Sequence, residues 1–325
     1  MAQPGLSSPG LRCFTFGSFA FSYFMVYSKK RKTTKARNAM DLCNIQQVKT
    51  LLGRHGFHFS RSLGQNFLIE SWVPQQIAAS SGADQNAGVL EIGPGIGPLT
   101  RELSRRAGKV VALELDKSLK PILAETLDDC PNATVLFQDV TKTDCAALVR
   151  EQFEGLTPMV CANLPYNITT PVITQLLEGH VFRSITVMIQ REVAKRICAQ
   201  PGTPDYGAFS LLCQYHAKCE YLFEVPKECF LPAPKVTSAV VRLEVLDQPP
   251  VTVENEALFF RVVRAAFAQR RKTLLNALSS AFGGEMTKEQ ILSCISSCNL
   301  PAAVRGEKLG IVEFAQLSSA LDAVI

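Results

Sequence analysis

The sequence predicts an α/β protein with a doubly wound, mainly parallel sheet, an antiparallel hairpin at the sheet edge, and a small all-α C-terminal domain. Three observations predict it. From residue 88 onward, short β-branched or apolar runs alternate with helical stretches, the spacing of parallel strands joined by crossover helices. Two later strand-like runs, 219–225 and 239–245, follow each other with no helical pattern between them. Beyond Asp247-Gln248-Pro249-Pro250 only helical periodicity remains, and a Pro-Pro step is a natural boundary.

Taken in order, Val89-Leu90-Glu91-Ile92 is the first strand, ending in a glycine loop and followed by a helix over 99–106. Residues 110–115 form the second strand, with a helix over about 117–128. Residues 134–138, 159–162 and 184–189 are the next three strands, with helices over 169–178 and from Arg191. The C-terminal part reads as three helices, roughly 255–282, 287–298 and 311–324. The expected organisation is an extension over 1–39 that adds nothing to the fold, a domain over 40–248 and a helical domain over 249–325.

Composition excludes several classes. Apolar residues make up 47% of the 325 positions and charged residues 19%, so the chain is not disordered. No apolar run reaches the ~18 residues of a spanning helix. Eleven scattered cysteines with no Cys-x-x-Cys step, and only four histidines, argue against a metal site and for a reduced, intracellular setting. The net charge of +5 is misleading, because residues 1–40 carry seven basic side chains and no acid, leaving the remainder slightly acidic.

Gly93-x-Gly95-x-Gly97 follows a buried strand and opens a helix, where free N–H groups and close backbone approach favour a ligand. A dinucleotide fingerprint would need glycine at position 98, which is Pro98 here. Taken alone, the loop serves equally as a tight structural turn. Two acids change its meaning. Glu114 ends the second strand, placed to accept ribose hydroxyls, and Asp139 ends the third, placed to meet an adenine amine. An adenosine-bearing cofactor without a pyrophosphate is implied, and S-adenosylmethionine fits. This gives the fold a Rossmann-like cofactor half.

Asn163-Leu164-Pro165-Tyr166 follows the fourth strand. An exocyclic adenine amine is a poor nucleophile because its lone pair is delocalised into the ring. The Asn163 amide oxygen and the Leu164 carbonyl can each accept one of its N–H groups, Pro165 fixes the turn, and the Tyr166 ring can stack on a flipped base. Such catalysis is positioning for in-line displacement, with no metal. The competing arrangement is a rigid turn with Asn163 capping the helix that follows.

Several blocks now carry a resemblance: Ser62-Leu63-Gly64-Gln65-Asn66-Phe67-Leu68, Glu91-Ile92-Gly93-Pro94-Gly95, Asn163-Leu164-Pro165-Tyr166, Gln190-Arg191-Glu192-Val193-Ala194, Phe230-Leu231-Pro232-Ala233-Pro234-Lys235-Val236 and Phe267-Ala268-Gln269-Arg270-Arg271-Lys272-Thr273. From about residue 45 to 321 the chain resembles the ribosomal RNA adenine dimethyltransferase family, in its bacterial small-subunit branch. The resemblance implies a class I SAM-dependent methyltransferase fold. It also implies transfer of two methyls to N6 of each of two adjacent adenosines, in the hairpin loop near the 3′ end of small-subunit (16S) rRNA within a pre-formed subunit. The cofactor contacts it implies are Asn66, Leu68, Gly93, Glu114, Asp139 and Asn163, with Gly95 in the same loop. Phe230 is either a second stacking ring or an aromatic plug at a strand end. A bacterial cytoplasmic monomer without metal or membrane is expected ahead of a mitochondrial protein.

For RNA, phosphate contacts need local positive charge. Arg261, Arg264, Arg270, Arg271 and Lys272 lie in one acid-free stretch read as helix, with Val263, Ala266, Phe267, Leu274 and Leu278 as its apolar stripe. Arg54 and Arg61, with Lys49, His55 and His58, form a second cluster before the Gln65-Asn66 loop. The alternatives are a macrolide-resistance type methylase of large-subunit rRNA and a mitochondrial transcription-factor-B-like protein that binds nucleic acid or assists assembly. The intact Asn163 motif speaks against the last.

Overall fold

The computed structural model describes residues 40–60 and 63–325. The extension over 1–39 and Arg61 therefore lie outside the described residues.

Among the described residues nine strands form: β1 (Phe67–Leu68), β2 (Ala87–Ile92), β3 (Lys109–Leu113), β4 (Ala133–Leu136), β5 (Thr157–Asn163), β6 (Ser184–Gln190), β7 (Ala217–Val225), β8 (Phe230–Leu231) and β9 (Ser238–Val245). Seven of them make one sheet in the order β4-β3-β2-β5-β6-β9-β7. β4, β3, β2, β5 and β6 are parallel, whereas β9 pairs antiparallel with both β6 and β7. All seven predicted strands are present within two residues of their expected ends. β1 and β8 pair only with each other and escaped prediction, because two residues hold no periodicity.

Why the central strands read as unbroken apolar runs is visible in their burial. Alternate residues serve opposite faces, so both must be covered. Leu90, Ile92, Val111, Leu113, Val160 and Ala162 point into one core. Val89, Val110, Cys161 and Met188 point into the other. The order of strands reverses at β2 and β5, and the crevice at their carboxyl ends is where a doubly wound sheet takes its ligand. A third apolar cluster packs helix Ile45–Arg54 through Val48, Leu51 and Leu52 against Ile96 of the glycine loop and Ile122.

The C-terminal part departs from its prediction in one respect. The expected helix over 255–282 is two helices, Glu256–Ala268 and Leu274–Phe282. The chain leaves helical geometry at Gln269 (φ −125°, ψ 64°) and restarts at Thr273, whose hydroxyl accepts the Asn276 N–H at 3.4 Å. The stripe that suggested one long helix is still buried, since Val263, Ala266, Leu274 and Leu278 all join one core. That core also takes in Tyr206, Leu211 and Tyr215, which precede the Pro-Pro step. No helix among the described residues is long and apolar enough to cross a membrane.

Candidate active site

The glycine loop starts the site. Gly93 donates its N–H to the Leu113 carbonyl at 2.9 Å, tying the end of β2 to the end of β3. Gly95 and Gly97 have φ of 60° and 93°, and a Cβ at Gly95 would stand 3.1 Å from the Phe67 ring. Only a residue without a side chain lets β1 approach this closely.

Glu114 follows β3 directly. Its carboxylate accepts the Asp116 N–H at 2.8 Å and the Gly95 N–H at 3.3 Å. Burial pushes the Glu114 carboxyl upward, and these backbone donors oppose that shift. Asp139 follows β4 and uses Oδ1 to cap a short turn, accepting the Thr141 N–H at 3.0 Å and its hydroxyl at 2.8 Å. Those bonds from Thr141 hold its carboxyl below the usual range.

Asn163 is the last residue of β5, opposite Met188 of β6, and the Leu164 N–H donates to the Met188 carbonyl at 3.1 Å. The Asn163 Nδ2 donates to the Asn66 carbonyl at 3.4 Å. A carbonyl only accepts, so the nitrogen side of the amide must face Asn66, leaving Oδ1 for another donor. Asn163 does not cap the next helix, Thr169–Glu178, whose cap position is Ile168 with no side-chain bond. Pro165 leads into a turn over Tyr166–Ile168, and the Tyr166 hydroxyl shares a 2.6 Å hydrogen bond with Ser238 Oγ.

One pocket brings these groups together. Asn66, Leu68, Gly93, Gly95, Glu114 and Asp139 line it, as do Asn163, Leu164, Pro165 and Tyr166. Its lining holds three acids, Glu91, Glu114 and Asp139, and among the described residues no lysine, arginine or histidine. Glu91 is only 1% exposed, its Oε2 has no hydrogen-bond partner among the described residues, and burial beside Glu114 pushes its carboxyl up to about 8. Glu91 is therefore neutral near pH 7, and it is Glu114 and Asp139, in a lining without bases, that fit a cationic, ribose-bearing ligand such as S-adenosylmethionine.

Phe230 is placed elsewhere. It is 3% exposed, sits in β8 opposite Leu68, packs in the same core as Cys229, and does not line the pocket. Of its two sequence readings, this placement supports the plug. Gln65, Glu91 and Asp116 take part in the site although the sequence reading assigned them no role. Glu91 stands two residues before Gly93 and Gln65 directly before Asn66, but nothing in a single sequence separates them from structural polar residues.

The cations divide into two groups. Arg54 is paired with Glu125 at 2.6 Å, and His55 reaches the same carboxylate at 2.9 Å. Arg261 grips Glu285, with one contact at 2.9 Å, and lies over the Phe282 ring at 4.2 Å. Arg270 donates to Glu307 at 3.0 Å and to the Pro204 carbonyl. Arg264, Arg271 and Lys272 are exposed and carry no ion pair among the described residues. Arg270, Arg271 and Lys272 lie in the break between two helices, not on the helix face predicted for them.

Sheet order, glycine loop and strand-end acids define the class I methyltransferase fold. Solved structures agree: a dimethyladenosine transferase from Plasmodium falciparum superposes with a TM-score of 0.66 at 23% identity, over 79% of this chain and 97% of the other. The 23S rRNA methyltransferase ErmE gives 0.60 at 24% identity, over 79% and 100%. The chain belongs to the ribosomal RNA adenine dimethylase family, whose model matches residues 56–303. Curated relatives named ribosomal RNA small subunit methyltransferase A include that of Geobacillus thermodenitrificans, 47% identical over 284 residues, covering 86% of this chain and 97% of the relative. That of Streptococcus gordonii is 45% identical over 285 residues, covering 87% and 98%.

Proposed function

We propose that the protein transfers methyl groups from S-adenosylmethionine to N6 of two adjacent adenosines in the 3′-terminal hairpin loop of small-subunit rRNA, giving N6,N6-dimethyladenosine. The observation that carries this is the orientation of Asn163, whose amide oxygen is left open at an acid-lined pocket.

Bound there, S-adenosylmethionine supplies an electrophilic methyl group on a sulfonium. Glu114 and Asp139 are the acceptors for its ribose and adenine, and Asn66, Leu68, Gly93 and Gly95 shape the space around it. Asn163 Oδ1 and the Leu164 carbonyl each accept an N–H of the target amine, localising its lone pair. Tyr166, steadied by Ser238, offers a ring for the flipped base. Pro165 sets the turn that aims these groups. The helical segment 249–325 and the unpaired Arg264, Arg271 and Lys272 provide the RNA-facing charge. Arg54, Arg261 and Arg270, each paired with an acid, contribute less to that charge, and Arg61 is assigned to it from the sequence alone. With three of the predicted RNA-binding cations unpaired among the described residues, recognition rests on the shape of a pre-formed subunit more than on bulk charge. A cytoplasmic, monomeric enzyme with a part in small-subunit biogenesis follows from this reading.

The test is to delete the gene and map dimethyladenosine in both ribosomal RNAs by mass spectrometry. Loss of the adjacent small-subunit pair is expected and should be restored by the wild-type gene but not by Asn163→Ala. Persistence of the pair, or loss from the large-subunit RNA instead, would overturn the proposal.

A further inference from the structure

Residues 63–66 line the pocket and are tied down at two neighbouring residues. Gln65 Oε1 accepts the Ser60 N–H at 2.9 Å, and Gln65 Nε2 donates to Asp116 Oδ2 at 2.6 Å. Both bonds fix the amide, because a backbone N–H only donates and a carboxylate only accepts. Asp116 in turn donates its N–H to Glu114 and uses Oδ1 to cap Ser118 at 2.9 Å. Next to Gln65, the Asn66 carbonyl takes the Asn163 Nδ2 at 3.4 Å. Gly64, at φ 63°, turns the chain just before these two anchors, and a Cβ there would meet Asn167 Oδ1 at 3.4 Å.

Among the described residues the Asn163 amide makes one side-chain hydrogen bond, to a carbonyl of this strap, one residue from the side chain that ties the strap to Asp116. We propose that Gln65 is a positioning residue for methyl transfer, latching the 63–66 strap to Asp116 so that the Asn66 carbonyl turns the Asn163 amide oxygen toward the target amine. The inference rests on the proposed role of Asn163. Release of the latch lets the Asn66 carbonyl drift, and the Asn163 amide then loses the contact that tells its nitrogen from its oxygen. Misorientation of a group that works by alignment is costly even at sub-ångström scale.

The bond has a direction, amide to carboxylate, and can be reversed. Gln65→Glu sets two carboxylates against each other. Adding Asp116→Asn restores a donor–acceptor pair with the roles exchanged, while the new amide oxygen can still cap Ser118. At saturating S-adenosylmethionine, single-turnover transfer to small-subunit RNA should fall by about tenfold or more in Gln65→Glu and return to within about threefold in the double variant. Hydrogen exchange of the amides over 63–68, measured on the protein without ligand, should quicken in Gln65→Glu and slow again in the double variant. A wild-type rate in Gln65→Glu, or a double variant no better than the single one, overturns the latch. If the wild-type protein itself fails to methylate that RNA, the proposed function falls, and exchange alone decides whether the strap is latched.

Discussion

Gly95 donates its backbone N–H to Glu114 Oε2 at 3.3 Å, so the glycine loop and the acid at the next strand's end are bonded before any ligand enters. Two adjacent crossovers thus present one preformed surface. Gly95→Ala would hold an alanine at φ 60° with its methyl 3.1 Å from Phe67, a strain of order 1–3 kcal/mol. Glu114→Ala removes a charged acceptor worth about 1.5–3 kcal/mol. Both variants should bind S-adenosylmethionine about tenfold or more weakly by calorimetry. Wild-type affinity in Glu114→Ala would remove that residue from the ribose site.

Glu91 gives a pH prediction for the ligand-free protein. Its folded-state carboxyl sits at about 8, above the 4.5 of the free group, so the folded form keeps a proton that the unfolded chain releases. Rising pH therefore favours unfolding between these two values, and the effect levels off above the upper one. The Tm of Glu91→Gln relative to wild type should climb from about pH 5 to pH 8 and then stay flat. A difference independent of pH would show Glu91 ionised throughout.

The paired and unpaired cations should separate in RNA binding. Arg271→Ala and Lys272→Ala should each weaken binding to small-subunit RNA and lower the slope of log K against log salt by about one. Arg261→Ala should leave that slope near wild type and cost stability instead, because its partners are Glu285 and the Phe282 ring. Equal slopes for all three would reject this division.

Phe230 distinguishes packing from base stacking. Phe230→Ala should lose about 3–5 kcal/mol of stability through the cavity it leaves. Phe230→Leu keeps most of the volume and should keep methyl transfer near wild type at a temperature where it stays folded. A leucine variant that is stable yet inactive would put the ring back in contact with the base.

The parallel sheet was legible because strands buried on both faces read as unbroken apolar runs, as in Val110-Val111-Ala112-Leu113. Glu114 and Asp139 were legible as pocket-lining acids because they follow neighbouring parallel strands at the carboxyl edge of the sheet. The helix break at 269–273 was hidden, since its flanking apolar residues stay on one stripe whether or not the helix is continuous. Gln65 and Asp116 meet across 51 positions of sequence, and no local pattern records such a pairing. Likewise, the partners of Arg261 and Arg270 lie 24 and 37 residues away, so five cations in a row looked alike until folding sorted them.

The acid-only lining of the pocket also bears on turnover. Each transfer would convert a cationic sulfonium into a neutral thioether of nearly the same shape. On the proposed reading, an ionised Asp139, with Glu114 where it is ionised, would attract the first more strongly than the second, while the protonated Glu91 would add little. Charge would then favour exchange of spent for fresh cofactor.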